Sequence, residues 1–172
     1  MSKITLFLLL IGVFGQLSAQ NISIKKYEYV GTGANQSYQY LPMLAGKRIG
    51  VVTNHTGSIQ KIVHEKDSTI TVQNEHLVAF LLAKKINISK VFAPEHGFRG
   101  TVDAGEVIKD GVDPKTKLPI ISLYGKNKKP TAEQLKGIEV MLFDLQDVGV
   151  RFYTYISTLH YVMEACAENY IP

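Results

Sequence analysis

The chain has 172 residues, 45% hydrophobic and 20% charged, which gives room for about one domain with its own core. That balance excludes a disordered or fibrous chain, and a net charge of +4 is too mild to imply a nucleic-acid partner. A single cysteine, Cys166, excludes an intrachain disulfide.

The first segment reads as a secretory signal peptide over residues 1–19. Met1-Ser2-Lys3 is a weakly basic start, Ile4 to Phe14 is a short apolar run, and small and polar residues follow to Ala19 and Gln20. The apolar run is too short for a comfortable membrane span, which needs about 20 residues, so no stable span is expected after cleavage. An uncleaved anchor is the competing reading. Cleavage after Ala19 removes Lys3 and leaves 18 basic against 15 acidic residues, a charge of +3. The expected location is outside the cytoplasm, in the periplasm or cell envelope.

Residues 20–44 are polar and tyrosine-rich, and read as an N-terminal extension before the first core strand. Arg48 to Asn54 is a β-branched run with the character of a buried strand. Residues 58–73 mix polar residues with scattered Ile and Val and read as a loop or small excursion. Leu77, Val78, Leu81, Leu82 and Ile86 recur at helical spacing, which predicts a helix over 75–86. Lys90 to Ala93 is a second strand, leading into Pro94-Glu95-His96-Gly97-Phe98-Arg99-Gly100. Residues 101–118 read as a long loop, the kind that tends to carry function. Pro119 to Tyr124 is a third strand. Thr131 is a plausible N-cap for a short helix. Ile138 to Leu145 is the strongest strand signal. From Thr154 to Tyr170, Ile156, Leu159, Val162, Met163, Cys166 and Ala167 share one helical face, so Cys166 reads as a buried structural thiol.

This rhythm predicts an α/β fold, a Rossmann-like open and mostly parallel sheet with crossover helices. The chain stops at Ile171-Pro172, where the alternation calls for another strand, so residues 45–172 read as the N-terminal part of such a domain. The turn after the first strand is Asn54-His55-Thr56-Gly57-Ser58, not a G-x-G-x-x-G, and no P-loop is present; no cofactor is expected.

Ligands of open α/β sheets bind outside the carboxyl ends of the strands. Three predicted strand ends carry polar clusters: Asn54 and His55; Glu95, His96 and Arg99; and Asp144, Gln146, Asp147 and Arg151. Glu95 stands between Pro94, which restricts the backbone, and Gly97, which permits a sharp turn. A carboxyl so held suits a general acid, and Asp144 or Asp147 could be the second carboxylate that glycosidases commonly use. Asp144 could equally only bond backbone amides at its strand end. Arg99 and Arg151 could hold a substrate carboxylate, or could neutralise neighbouring acids. Tyr153 and Tyr155 could stack on a sugar. The histidines at 55, 64, 76, 96 and 160 lack the paired spacing of zinc sites, and no metal is expected.

Three segments carry a family resemblance: Gly50 to Gly57, Phe92 to Gly100, and Phe143 to Tyr155. They resemble the signature of the NamZ-type exo-β-N-acetylmuramidases, glycoside hydrolase family 171, long catalogued as a domain of unknown function. The resemblance implies a secreted or envelope enzyme with a Rossmann-like domain carrying the active site and a smaller C-terminal domain completing the cleft. It implies release of N-acetylmuramic acid from the non-reducing ends of peptidoglycan fragments, such as muropeptides and the MurNAc-GlcNAc disaccharide. The family's catalytic glutamate matches Glu95, with His96 beside it; Asn54, Arg99, Asp144, Gln146, Asp147, Arg151 and Tyr153 match motif positions near the cleft, and His55 adjoins them. Two rival readings are a non-catalytic peptidoglycan-binding module and a metal-dependent envelope hydrolase using His55, His96 and Asp103.

Overall fold

The computed structural model describes residues 31–64, 70–100 and 109–172. Residues 1–19, read above as a signal peptide, the first part of the N-terminal extension and Asp103 lie outside the described residues. Within residues 31–172, a 3-10 turn at Gly33–Asn35 leads into α1 (Ser37–Leu44), then β1 (Arg48–Thr53), β2 (Ser58–His64) and β3 (Ile70–His76). α2 (Leu77–Ala83), β4 (Asn87–Ala93), β5 (Gly111–Val112) and β6 (Pro119–Ser122) follow, and then α3 (Ala132–Leu135), β7 (Val140–Asp144) and α4 (Tyr155–Glu168).

Five strands form one sheet in the order β5-β6-β4-β1-β7. β1 pairs in parallel with β4 and with β7, and β4 in parallel with β6; the two-residue β5 alone runs antiparallel. The expected open, mostly parallel α/β sheet is therefore what the chain forms. β1 sits centrally and is buried from Ile49 to Thr53 without a break, as a strand covered on both faces must be. Ile49 and Val51 face one core with Leu77, Val78, Leu81 and Val91, beneath α2. Val52 faces a second core with Phe92, Leu123, Leu135, Val162 and Cys166, beneath α3 and α4. Cys166 is a free buried thiol, as its pattern predicted, and burial pushes its pKa up.

The structure differs from expectation in three places. Residues read as an excursion form the antiparallel hairpin β2–β3, with Ser58 opposite His76 and His64 opposite Ile70. Ile59 alone of the hairpin's large apolar residues is buried, while Ile62, Ile70 and Val72 stay exposed, so no continuous buried face imposes an alternating pattern on its sequence. Within the extension, residues 37–44 form a helix, and Leu44 enters the first core. Finally, α4 buries Tyr155, Thr158, Val162, Ala165 and Cys166, whereas Ile156 and Met163 are 52% and 62% exposed. The side that meets the sheet is thus rotated from the most apolar stripe.

Candidate functional site

The carboxyl ends of β4, β1 and β7 lie side by side because their strands are parallel, with Val52 aligned to Phe92 and Thr53 to Asp144. The polar clusters that follow these strands therefore share one edge of the sheet, as predicted. The chain passes outward from β1 to β4 and β6, then returns to the opposite side of β1 as β7. That reversal makes the β1/β7 boundary a topological switch point, where open α/β sheets bind ligands.

Glu95 follows β4 on a tight turn. Pro94 is buried, His96 has φ +68° and Gly97 has φ +75°. A left-handed conformation is cheap for glycine but strained for histidine, and such strain concentrates at functional sites. The Thr154 hydroxyl donates to Glu95 Oε2 at 3.2 Å. The Tyr124 hydroxyl also bonds Glu95, which raises the phenol's pKa. Glu95 lines a cavity of about 460 Å³ with Tyr124, Lys128, Phe152, Thr154 and Tyr161. Tyr124, Lys128 and Thr154 were not singled out from the sequence: lone polar residues in irregular segments leave no periodic signal.

The turn is anchored from outside. Arg99 Nε and Nη2 reach Asp113 Oδ1 and Oδ2 at 2.9 and 2.8 Å. Asp113 is fully buried and also accepts from the backbone N–H and hydroxyl of Thr116. The Arg99 guanidinium, with the Thr116 donors, holds the Asp113 carboxyl well below the usual carboxylate range despite its burial. The same guanidinium lies 4.4 Å over the Phe98 ring. Arg99 thus has a partner within the protein, the second of the two readings its sequence position allowed, while its side chain stays 31% exposed. Asp113-Pro114-Lys115-Thr116 is an Asx-type turn, and that was the available sequence signal for Asp113.

Asn54 is likewise withdrawn from solvent, at 1% exposure. Its Nδ2 donates to the Tyr155 hydroxyl at 2.8 Å, and its Oδ1 accepts from the Thr56 N–H and hydroxyl. As placed, it braces the site through these internal bonds. His55 is exposed, with its ring against Gly100, where a Cβ would meet Nδ1 at 2.5 Å. Arg151 and Asp147 are exposed on the segment after β7.

Asp144 ends β7 and faces a second cavity, of about 640 Å³, which it shares with Tyr40, Thr56, Gln146, Tyr153 and Tyr155. The Tyr153 and Tyr155 rings meet edge to face at 4.7 Å. The Thr56 hydroxyl bonds Gln146 Oε1. Asp144 Oδ2 is buried with no hydrogen-bond partner among the described residues, and burial pushes the Asp144 pKa up. Gly57 permits this placement, because a Cβ there would lie 2.9 Å from Oδ2. Among the described residues no group of three or more His, Cys, Asp and Glu is arranged to hold a metal.

Fold and edge together define an open α/β domain with paired, carboxylate-bearing cavities at the carboxyl ends of its parallel strands. Residues 49–172 match the family described as "Exo-beta-N-acetylmuramidase NamZ, N-terminal", and the chain belongs to that family. It is 41% identical over 177 aligned residues to the peptidoglycan beta-N-acetylmuramidase NamZ of Bacillus subtilis (strain 168), an alignment covering 98% of this chain and 40% of that protein. Two crystal structures of DUF1343 family proteins from Bacteroides fragilis NCTC 9343 are similar. One is 39% identical with a TM-score of 0.61 over 78% of this chain and 30% of its own. The other is 38% identical with a TM-score of 0.64 over 84% and 33%. The chain thus spans well under half the length of these relatives.

Proposed function

We propose that the protein is a secreted glycosidase that releases N-acetylmuramic acid from the non-reducing ends of peptidoglycan fragments in the periplasm or cell envelope. The observation that carries this reading is Glu95, which sits at a parallel strand end, on a strained turn, inside a cavity and beside two hydroxyl donors. Membership of the family supports the substrate class, and the pattern of residues 1–19 supports secretion.

In this mechanism Glu95 is the general acid. It gives its proton to the glycosidic oxygen as the bond from that oxygen to the anomeric carbon breaks, and the leaving sugar departs as a neutral alcohol. Water adds to the anomeric carbon and loses a proton to a base. His96 adjoins Glu95, and Asp147 lies on the exposed segment that follows β7; either suits that role. The lactyl carboxylate is gripped by an arginine, Arg99 or the exposed Arg151, and Lys128, which lines the Glu95 cavity, adds a further positive charge.

The test is mass-spectrometric detection of free N-acetylmuramic acid from the MurNAc-GlcNAc disaccharide. Release that falls by about 10²-fold or more in Glu95→Gln supports the assignment, that being the ordinary contribution of a general acid. Undiminished release in Glu95→Gln would remove Glu95 from the chemistry. No release from the folded protein would favour a binding module.

A further inference from the structure

Thr154 occupies the N-cap position of α4, where a threonine hydroxyl ordinarily accepts from a backbone N–H of the first helical turn. It makes no such bond. The Thr131 hydroxyl, at the same position of α3, does accept from the Gln134 N–H. At Thr154 the hydroxyl is turned instead to Glu95 Oε2, 3.2 Å away and 59 positions distant in the chain. The end of α4 goes without its side-chain cap, and the hydroxyl serves the carboxyl.

Tyr124 reaches the same carboxyl from another strand end. β6 pairs with β4 as far as Ser122 opposite Ala93, and the Leu123 N–H donates to the Ala93 carbonyl at 2.8 Å. This parallel register brings the residues just past β6 alongside those just past β4. The Tyr124 N–H donates to Ser122 Oγ at 3.3 Å, which holds the chain where it leaves the strand. The Tyr124 hydroxyl bonds Glu95 inside the cavity that both residues line, and this bond holds the phenol above its ordinary range. Two hydroxyls from separate elements, one past β6 and one before α4, thus meet one half-buried carboxyl. Packing alone does not hold a half-exposed glutamate in one rotamer, whereas hydrogen bonds from two elements do.

We propose that Tyr124 and Thr154 are positioning residues for Glu95, and that their two hydroxyls aim its carboxyl at the glycosidic oxygen. This rests on the glycosidase reading and deepens it. An acid that must meet one oxygen of a bound sugar contributes only when it is oriented, and a misplacement of about 1 Å can cost on the order of 10²-fold in rate. Tyr124 and Thr154 act through Glu95, so their loss changes the chemical step and leaves sugar binding as it is.

The test is kinetic, with the MurNAc-GlcNAc disaccharide. Tyr124→Phe and Thr154→Val are each expected to lower kcat about tenfold while KM stays within about twofold. Thr154→Ser, which keeps the hydroxyl, should restore kcat, and Thr154→Val should melt with wild type because its hydroxyl caps nothing. In a Glu95→Gln background, Tyr124→Phe should add no further loss, since its effect runs through Glu95. Unchanged kcat in both hydroxyl variants, a rise in KM with kcat unchanged, or a full additional loss in the Gln background would overturn the proposal. A second measurement needs no turnover: titration of the Tyr124 phenol by NMR on tyrosine labelled at Cζ. In Glu95→Gln the phenol should lose its proton at lower pH than in wild type. If it does so while wild type leaves the disaccharide uncleaved, the grip on Glu95 stands and the hydrolase reading falls; if Tyr124 titrates alike in both proteins, the grip itself is overturned whatever the activity.

Discussion

Asp113 and Asp144 are both drawn into the fold, and the protein treats them in opposite ways. Asp113 has a guanidinium and two donors from Thr116, whereas Asp144 has an unpartnered oxygen. The stability consequences follow with opposite sign. The pKa of Asp144 is raised, so its protonated form suits the fold, and stability is lost as pH rises above the usual aspartate value near 3.8. Asp144→Asn is therefore expected to stabilise the protein at pH 7 by about 1 kcal/mol, a few degrees of melting temperature, with a smaller gain at pH 4. A variant that melts lower than wild type at pH 7 would show that Asp144 is compensated after all. Tyr40 feels the same environment: burial, then Asp144, pushes its pKa up to about 12.

At the scale of elements, the Arg99–Asp113 pair joins the Glu95 turn to the loop between β5 and β6. Removing one member of such a pair leaves the other uncompensated, at a cost of about 3 kcal/mol; Arg99 keeps 31% side-chain exposure, so the low end of the usual range applies. Asp113→Ala should lower the denaturant midpoint accordingly, and a change below about 1 kcal/mol would show the anchor to be dispensable. Asp113 has a depressed pKa, so its contribution is present above pH 4 and fades as pH falls below it. The rotated face of α4 gives a second prediction. Val162→Ala should cost roughly 2 kcal/mol, because Val162 is 3% exposed, while Met163→Ser should stay within about 0.5 kcal/mol. Equal costs in parallel urea titrations would restore the face expected from hydropathy alone.

Across the whole described domain, His76 ties the parts of the site together. Its Nδ1 accepts from the Val78 N–H at the start of α2, its Nε2 donates to the Asn54 carbonyl at 2.8 Å, and its ring meets Phe98 edge to face at 5.1 Å. The Nδ1 contact requires the neutral ring, and burial lowers the pKa. The unfolded chain then takes up its proton first on acidification, so stability declines as pH falls below about 6.5. His76→Gln should flatten the melting-temperature profile between pH 7 and pH 5; a slope equal to that of wild type would assign it to other groups. No single element carries this effect, because the ring touches β1, α2 and the Glu95 turn together.

Much of this architecture follows from local patterning. Buried parallel strands announce themselves as short apolar runs, β-branched at 48–54 and Val91-Phe92-Ala93 in the second strand, and the Thr131 cap forms the full capping box with Gln134. The placing of Glu95 after a strand and before a glycine turn was legible for the same reason: a backbone that must turn sharply needs particular residues. The partners of those residues were not legible. Whether Arg99 faces a substrate or Asp113, whether Asn54 meets solvent or Tyr155, and which side of α4 meets the sheet depend on contacts between segments far apart in the chain. Composition determined the class of fold because secondary structure and burial obey short periods. Tertiary structure alone decided which polar groups find partners within the protein and which, like Asp144 Oδ2, do not, because compensation of a buried charge is a property of three-dimensional neighbours.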